Sequence, residues 1–179
     1  MANIILNGKT VVTQTGNDEP LIGGNVVFPA GHIIQTKAVV LAPTTINTSE
    51  TGFQPVYGLD LTLIRTPNTY VIYILMGGGP FTEAAGRTMH TTVKRSDGTS
   101  YTGTNELDLG ASSDYGISRL YGANGGVLAP HSGAALDTNN ISGSYTYRTF
   151  YRSPYGTTVQ FSNPDRANTL AVIFEFNPS

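Results

Sequence analysis

The chain contains no cysteine, so disulfide staples and thiolate metal sites are excluded at once. Charge is scarce as well. Only 12% of the 179 residues are Asp, Glu, Lys or Arg, roughly half the share of an ordinary soluble domain. The formal net charge is −2 and no basic run occurs. A nucleic-acid partner is therefore not expected, because phosphate contacts need clustered Lys and Arg. Long apolar runs are missing. The longest, Tyr70-Val71-Ile72-Tyr73-Ile74-Leu75-Met76, is far shorter than the ~20 residues that cross a bilayer, and no membrane partner is expected. It reads as a strand buried on both faces. The opening residues, Met1-Ala2-Asn3-Ile4-Ile5-Leu6-Asn7-Gly8-Lys9, lack the charged and apolar regions of a signal peptide, so Sec-type export is not expected. Asn47-Thr48-Ser49 and Asn140-Ile141-Ser142 then read as chance matches to the glycosylation pattern. Helical periodicity is absent too, beyond one turn at most near residues 81–85.

What is present points to strands. The chain has 21 Gly, 10 Pro and abundant Thr, Ser and Asn, while 39% of its residues are hydrophobic, too many for a disordered chain. Aromatic and β-branched residues alternate between turn formers. Strands are predicted at 33–41, 57–65, 69–76, 87–95, 101–107, 115–120, 145–152, 157–161 and 169–176. Residues 77–86 and 121–144 read as loops. Short strands with turns about every ten residues imply an all-β sandwich or barrel, with a jelly roll favoured. Residues 1–28 read as a separate arm. Asn7-Gly8 between Ile4-Ile5-Leu6 and Thr10-Val11-Val12-Thr13 is a hairpin signal, yet the unit is too small for its own core. Its apolar residues Ile4, Leu6, Val11 and Val12 must pack on the body, residues 29–179, or on other copies.

Candidates for chemistry are weak. His32, His90 and His131 lie far apart in unlike contexts, and a histidine metal site needs at least two to converge. His131-Ser132 with Asp137 supplies the residue types of a nucleophile triad without the strained turn that presents a serine. Gly77-Gly78-Gly79-Pro80 lacks the Lys and Ser/Thr of a phosphate loop. Asp137-Thr138-Asn139-Asn140 resembles the start of a calcium loop but lacks its Gly and distal Glu. No catalytic residue, cofactor or metal is expected. Tyr145, Tyr147, Phe150, Tyr151 and Tyr155 with Arg148 and Arg152 could stack on sugar. Alternation places Tyr145, Tyr147 and Tyr151 opposite Phe150, which favours a core face plus a subunit interface. Tyr145, Tyr147, Arg148 and Tyr151 are therefore the body's interface candidates.

Pro29-Ala30-Gly31-His32-Ile33-Ile34-Gln35 resembles the opening motif of a family of phage virion domains, frequent among marine and cyanobacterial phages. The likeness continues through the Thr-rich residues 44–52, the alternating strand Leu59-Asp60-Leu61-Thr62-Leu63-Ile64 and the apolar strand from Tyr70 to Leu75. It closes on Tyr145-Thr146-Tyr147-Arg148 and the last strand to Phe176, so it covers about residues 26–179. The central part, Arg87-Thr88-Met89-His90 and 108–140, is longer and less regular than the family pattern, and residues 1–28 carry no shaft repeat. The resemblance implies a trimeric jelly roll of the tumour-necrosis-factor type. It also implies a non-enzymatic virion protein, made in the host cytoplasm. The expected partners are two further copies and the major capsid protein or another virion protein, with the protein decorating the capsid. The alternative is a tail-fibre tip that presents loops 77–86 and 121–144 to a host surface glycan.

Overall fold

The computed structural model describes residues 2–7, 9–14, 21–22, 30–77, 81–82, 87–97, 107–110, 116–122, 127–128, 131–162 and 168–178. Every regular element among them is a strand. The first three, β1 (Ala2–Leu6), β2 (Lys9–Gln14) and β3 (Leu21–Ile22), form a small antiparallel sheet of their own. Leu6 faces Lys9 across a two-residue turn, and Asn7 takes φ +51°, the left-handed value such a turn needs. The expected hairpin is present, although Gly8 lies outside the described residues. Ile4 pairs with Val12 and Ile5 with Thr10, so Val11 is the extra residue of a bulge.

The body begins with β4 (Ile33–Leu41), β5 (Ile46–Thr48), β6 (Gln54–Pro55), β7 (Leu61–Arg65), β8 (Tyr70–Gly77) and β9 (Phe81–Thr82). It continues with β10 (Arg87–Ser96), β11 (Leu107–Asp108), β12 (Ser118–Gly122), β13 (Val127–Leu128) and β14 (His131–Asp137). It ends with β15 (Gly143–Arg152), β16 (Val159–Ser162) and β17 (Thr169–Phe176). One sheet has the order β14-β8-β17-β4; the other has the order β11-β10-β15-β6, with β12 also on β10 and β7 on β15. All these pairings are antiparallel. The eight principal strands, in chain order, are β4, β7, β8, β10, β12, β14, β15 and β17. The first lies beside the last, the last beside the third, and the third beside the sixth. In the facing sheet the second lies beside the seventh, the seventh beside the fourth, and the fourth beside the fifth. This is jelly-roll connectivity, as expected from the strand spacing.

Strand periodicity builds the core. Leu61, Leu63, Val71, Tyr73, Leu75, Met89, Val93, Tyr147, Ala171 and Ile173 are buried between the sheets. Their neighbours in the sequence point outward. Strand β8 departs from the expected burial on both faces: Val71, Tyr73 and Leu75 are buried, while Tyr70, Ile72 and Ile74 are half-buried and Met76 is exposed. Strand β14 falls where a loop was expected. Its small residues carry no β signal, and pairing with β8 from His131 to Asp137 supplies the order. Gly133 is small for a reason, since a Cβ there would lie 3.0 Å from Ile117 Cδ1. The strand predicted over 57–65 begins only at Leu61, and residues 101–106 of the one predicted over 101–107 lie outside the described residues.

The two ends of the sandwich differ. At one end the body opens and closes, with Gly31 N donating to Asn177 O (2.6 Å) and Asn177 N donating to His32 O (3.1 Å). Connections 66–69 and 138–142 lie at this end. At the other end stands a further four-stranded sheet, β13-β9-β16-β5. It repeats the order β14-β8-β17-β4, because each short strand adjoins its long counterpart in sequence. The four connections at that end thus carry the same sheet order onward.

Candidate functional site

The jelly roll places a buried polar cluster at the end where the body opens. Arg65 closes β7 and Asp137 closes β14, and neither side chain is exposed (0% each). Arg65 Nη1 donates to Asp137 Oδ2 (2.9 Å) and to Tyr147 Oη (3.1 Å). Its Nη2 donates to the carbonyls of Thr69 (2.6 Å) and Asn139 (3.2 Å). Asp137 also accepts from Arg95 Nη1 (2.6 Å), Tyr147 Oη (2.8 Å) and Asn139 N (3.1 Å). Beside it the buried carboxylate of Glu175 accepts from Thr66 N (2.7 Å), Thr69 Oγ1 (2.5 Å) and Gln35 Nε2. Asn68, at φ +61°, donates its backbone N–H to Asn140 Oδ1 (2.8 Å), and Asn140 Nδ2 donates back to Asn68 Oδ1 (2.9 Å). The cluster ties both sheets and two connections together, and every charge in it has an opposite partner or hydrogen bonds.

This geometry decides several sequence candidates. Asp137 faces two guanidinium groups, which leaves no room for a cation on its carboxylate. Ser132 points outward from β14 and Asp137 inward, so they cannot join in a triad. Only the backbone of His131 is described. His32 lies exposed before β4 and His90 is buried in β10. Among the described residues, no three His, Asp or Glu side chains converge as a metal site would need. Gly77 ends β8, and Gly78-Gly79-Pro80 lie outside the described residues.

The interface candidates divide. Tyr147 and Tyr151 are core residues, as the alternation of β15 requires, and Tyr145 is half-buried beneath Arg95, whose guanidinium lies 5.2 Å from its ring centroid. Only Arg148 reaches the outer face. It binds the Asp60 carboxylate through Nε and Nη2 (2.7 Å for the latter) and stacks on Tyr57 at 5.2 Å. In the arm, Ile4 is 56% exposed and Val11 and Val12 are half-buried, while the Leu6 side chain lies outside the described residues. Residues 121–144 do not form one loop. They pass through the end of β12, through β13 and β14, and into β15.

The feature that sequence reading missed is an asymmetry between the outer faces. On the β14-β8-β17-β4 sheet, register aligns Met76, Leu170 and Val40, then Ile74, Val172 and Ala38, then Ile72, Phe174 and Thr36. Ser132, Ala134 and Leu136 complete the rows. Among the described residues, no charged side chain stands on this face. Val40 is 57% exposed and Leu136 51%. The opposite sheet presents Thr62, Thr146, Arg148, Lys94 and Asp108, with cations stacked on Phe150, Tyr57 and Phe53. The signal was the outward set of β8 and β17, which is as apolar as the inward set.

Two buried tyrosines titrate late. Burial, reinforced by the Asp137 charge, drives the Tyr147 hydroxyl far above its usual range. Burial alone raises Tyr151 from 10.0 to about 12. An acid whose pKa is higher folded than unfolded holds extra protons in the native state. Its contribution is complete below pH 10 and declines as pH rises towards 12. Urea midpoints should therefore fall steeply above pH 10, and Tyr151→Phe should make that fall shallower. Equal slopes in both proteins would contradict the burial argument.

No protein-family model matches the chain, and no curated protein matches it. Among solved structures, the Gx strain of infectious bursal disease virus gives 11% identity over 96% of this chain and 51% of that one, with a TM-score of 0.28. The VP2 subviral particle of the same virus gives 10% identity over 94% and 50%, with a TM-score of 0.27. The chain thus spans about half the length of either. The jelly-roll assignment rests on the strand pairing itself.

Proposed function

We propose that this protein is a non-enzymatic structural component of a phage particle, a homotrimer that decorates the capsid. The observation that carries the reading is the uncharged outer face of the β14-β8-β17-β4 sheet. An apolar face that spans four strands is a surface made to be covered. A second copy is the fitting occupant, because a face without charge is complementary to its own kind and apolar cores dominate stable subunit contacts. Near the point where the chain enters the body, the face dips into a hollow of about 400 Å³ lined by Gly31, Ile33, Ile72, Phe174 and Phe176. The phage assignment is supported by the sequence resemblance from the Pro29-Ala30-Gly31 motif to Phe176.

The arm is the proposed anchor to the major capsid protein. Its exposed Ile4 and Ile5 have no core of their own. A subunit that binds only the assembled shell raises shell stability by RT ln(1 + [L]/Kd). With so few charges, the contact should survive high salt. Deleting residues 1–25 should leave the body folded and abolish attachment to particles. Stripped particles should then lose heat resistance while adsorbing to host cells normally. Robust stripped particles that no longer adsorb would instead establish the fibre-tip alternative, in which a host glycan is the partner.

A further inference from the structure

A cleft of about 370 Å³ lies between two strands that end their sheets among the described residues. Strand β5 ends the order β13-β9-β16-β5, and β6 ends the order β11-β10-β15-β6. The walls carry Asn47, Thr48, Glu50 and Gln54, with Tyr57 at the rim and Tyr151 within. Its size falls in the range of small-ligand sites, and most of the residues that line it carry polar groups.

Three features mark it as built for a ligand. Tyr57 is 70% exposed, yet its ring is braced by the Arg148 guanidinium, which Asp60 holds in turn. Tyr151 is only 2% exposed and packs on Phe161 at 5.5 Å between ring centroids. Its hydroxyl makes no hydrogen bond among the described residues and is not sealed off in the core, so it is open to a ligand in the cleft. Glu50 is pinned through its backbone: its N–H donates to Thr48 Oγ1 (3.1 Å) and its carbonyl accepts from Ser153 N (2.9 Å). Its carboxylate and the Asn47 amide stay unengaged among the described residues.

We propose that this cleft binds an uncharged saccharide, with Tyr57 stacked on the sugar's C–H face and Glu50, Asn47 and the Tyr151 hydroxyl reading its hydroxyl groups. The chemistry selects that class. A sugar hydroxyl both donates and accepts, so it satisfies a carboxylate, an amide and a phenol together. A purely apolar ligand would leave those groups unpaired, and an anion would meet Glu50. The site is separate from the apolar face and does not rest on the decoration reading.

The test is saturation-transfer NMR and calorimetry on the full chain with maltotriose, cellotriose, chitotriose and lactose, and with polygalacturonate as the acidic control. At least one uncharged probe should bind. Tyr57→Ala should weaken it at least tenfold and Tyr151→Phe severalfold, both with near-normal melting. Glu50→Gln should also weaken binding, because the amide accepts fewer hydrogen bonds. Three results would overturn the proposal: no uncharged probe binds, only the acidic one binds, or both tyrosine variants bind like the parent. Trimer formation and particle attachment should be unchanged in Tyr57→Ala, so failure here is distinct from failure of the structural role.

Discussion

Asp137→Ala should lower the melting temperature by roughly 6–20 °C, the largest single-residue effect expected in this fold. The fully buried carboxylate accepts from Arg65, Arg95 and Tyr147. Removing it strands the buried Arg65 guanidinium without its counter-charge. Breaking a buried pair from one side costs about 3–5 kcal/mol, and a chain of this length loses about 2–4 °C per kcal/mol. Arg65→Met with Asp137→Leu should recover much of the loss, since the two fully buried charges leave together and the part-exposed Arg95 can turn to water. Thermal unfolding followed by circular dichroism checks both variants. A fall of only a degree or two in Asp137→Ala would show that water reaches the cluster.

Val172→Glu combined with Ile74→Glu should convert the proposed trimer to monomers while leaving the jelly roll intact. The two positions are register partners at the centre of the uncharged face, on β17 and β8. Both side chains point away from the core, so the fold tolerates the change. At a subunit contact each carboxylate would be buried without a partner, which costs roughly 3 kcal/mol or more and weakens association over a hundredfold. Light scattering at micromolar concentration should give one-third of the parent mass. A parent protein that is already monomeric would refute the trimer, and a variant that stays trimeric would move the interface to another face.

Much of the scaffold was legible in the residues. Strands β4, β8, β10, β15 and β17 carry β-branched and aromatic residues with clear turn signals, and they fall within a residue or two of expectation. The hairpin at Asn7 was legible because few turns need both the left-handed backbone and two residues between strands. Strand β14 was not legible. Ser132, Gly133, Ala134 and Ala135 have little β propensity, and only the neighbouring β8 makes them a strand. The polar cluster was hidden for a similar reason. Arg65, Arg95, Asp137 and Tyr147 sit on four strands and meet only once the topology brings their ends together. Tyr145, Tyr147 and Tyr151 were sorted to the proper face, but alternation alone cannot tell a core face from a contact face. The apolar outer face could have been read from β17, whose outward residues are Leu170, Val172, Phe174 and Phe176.

The pairing of β4 with β17 also has a mechanical consequence. The first strand of the body starts, and the last one finishes, at the same end, clamped by Gly31 and Asn177. Tension applied between those two points would load the ladder one rung at a time, like a zipper. Tension between the arm and the far end, where β5, β9, β13 and β16 stand, would run along the strands and load the rungs of β4 together. Cargo grafted after Phe176 should therefore peel at low force, whereas cargo inserted in the opposite loops should hold.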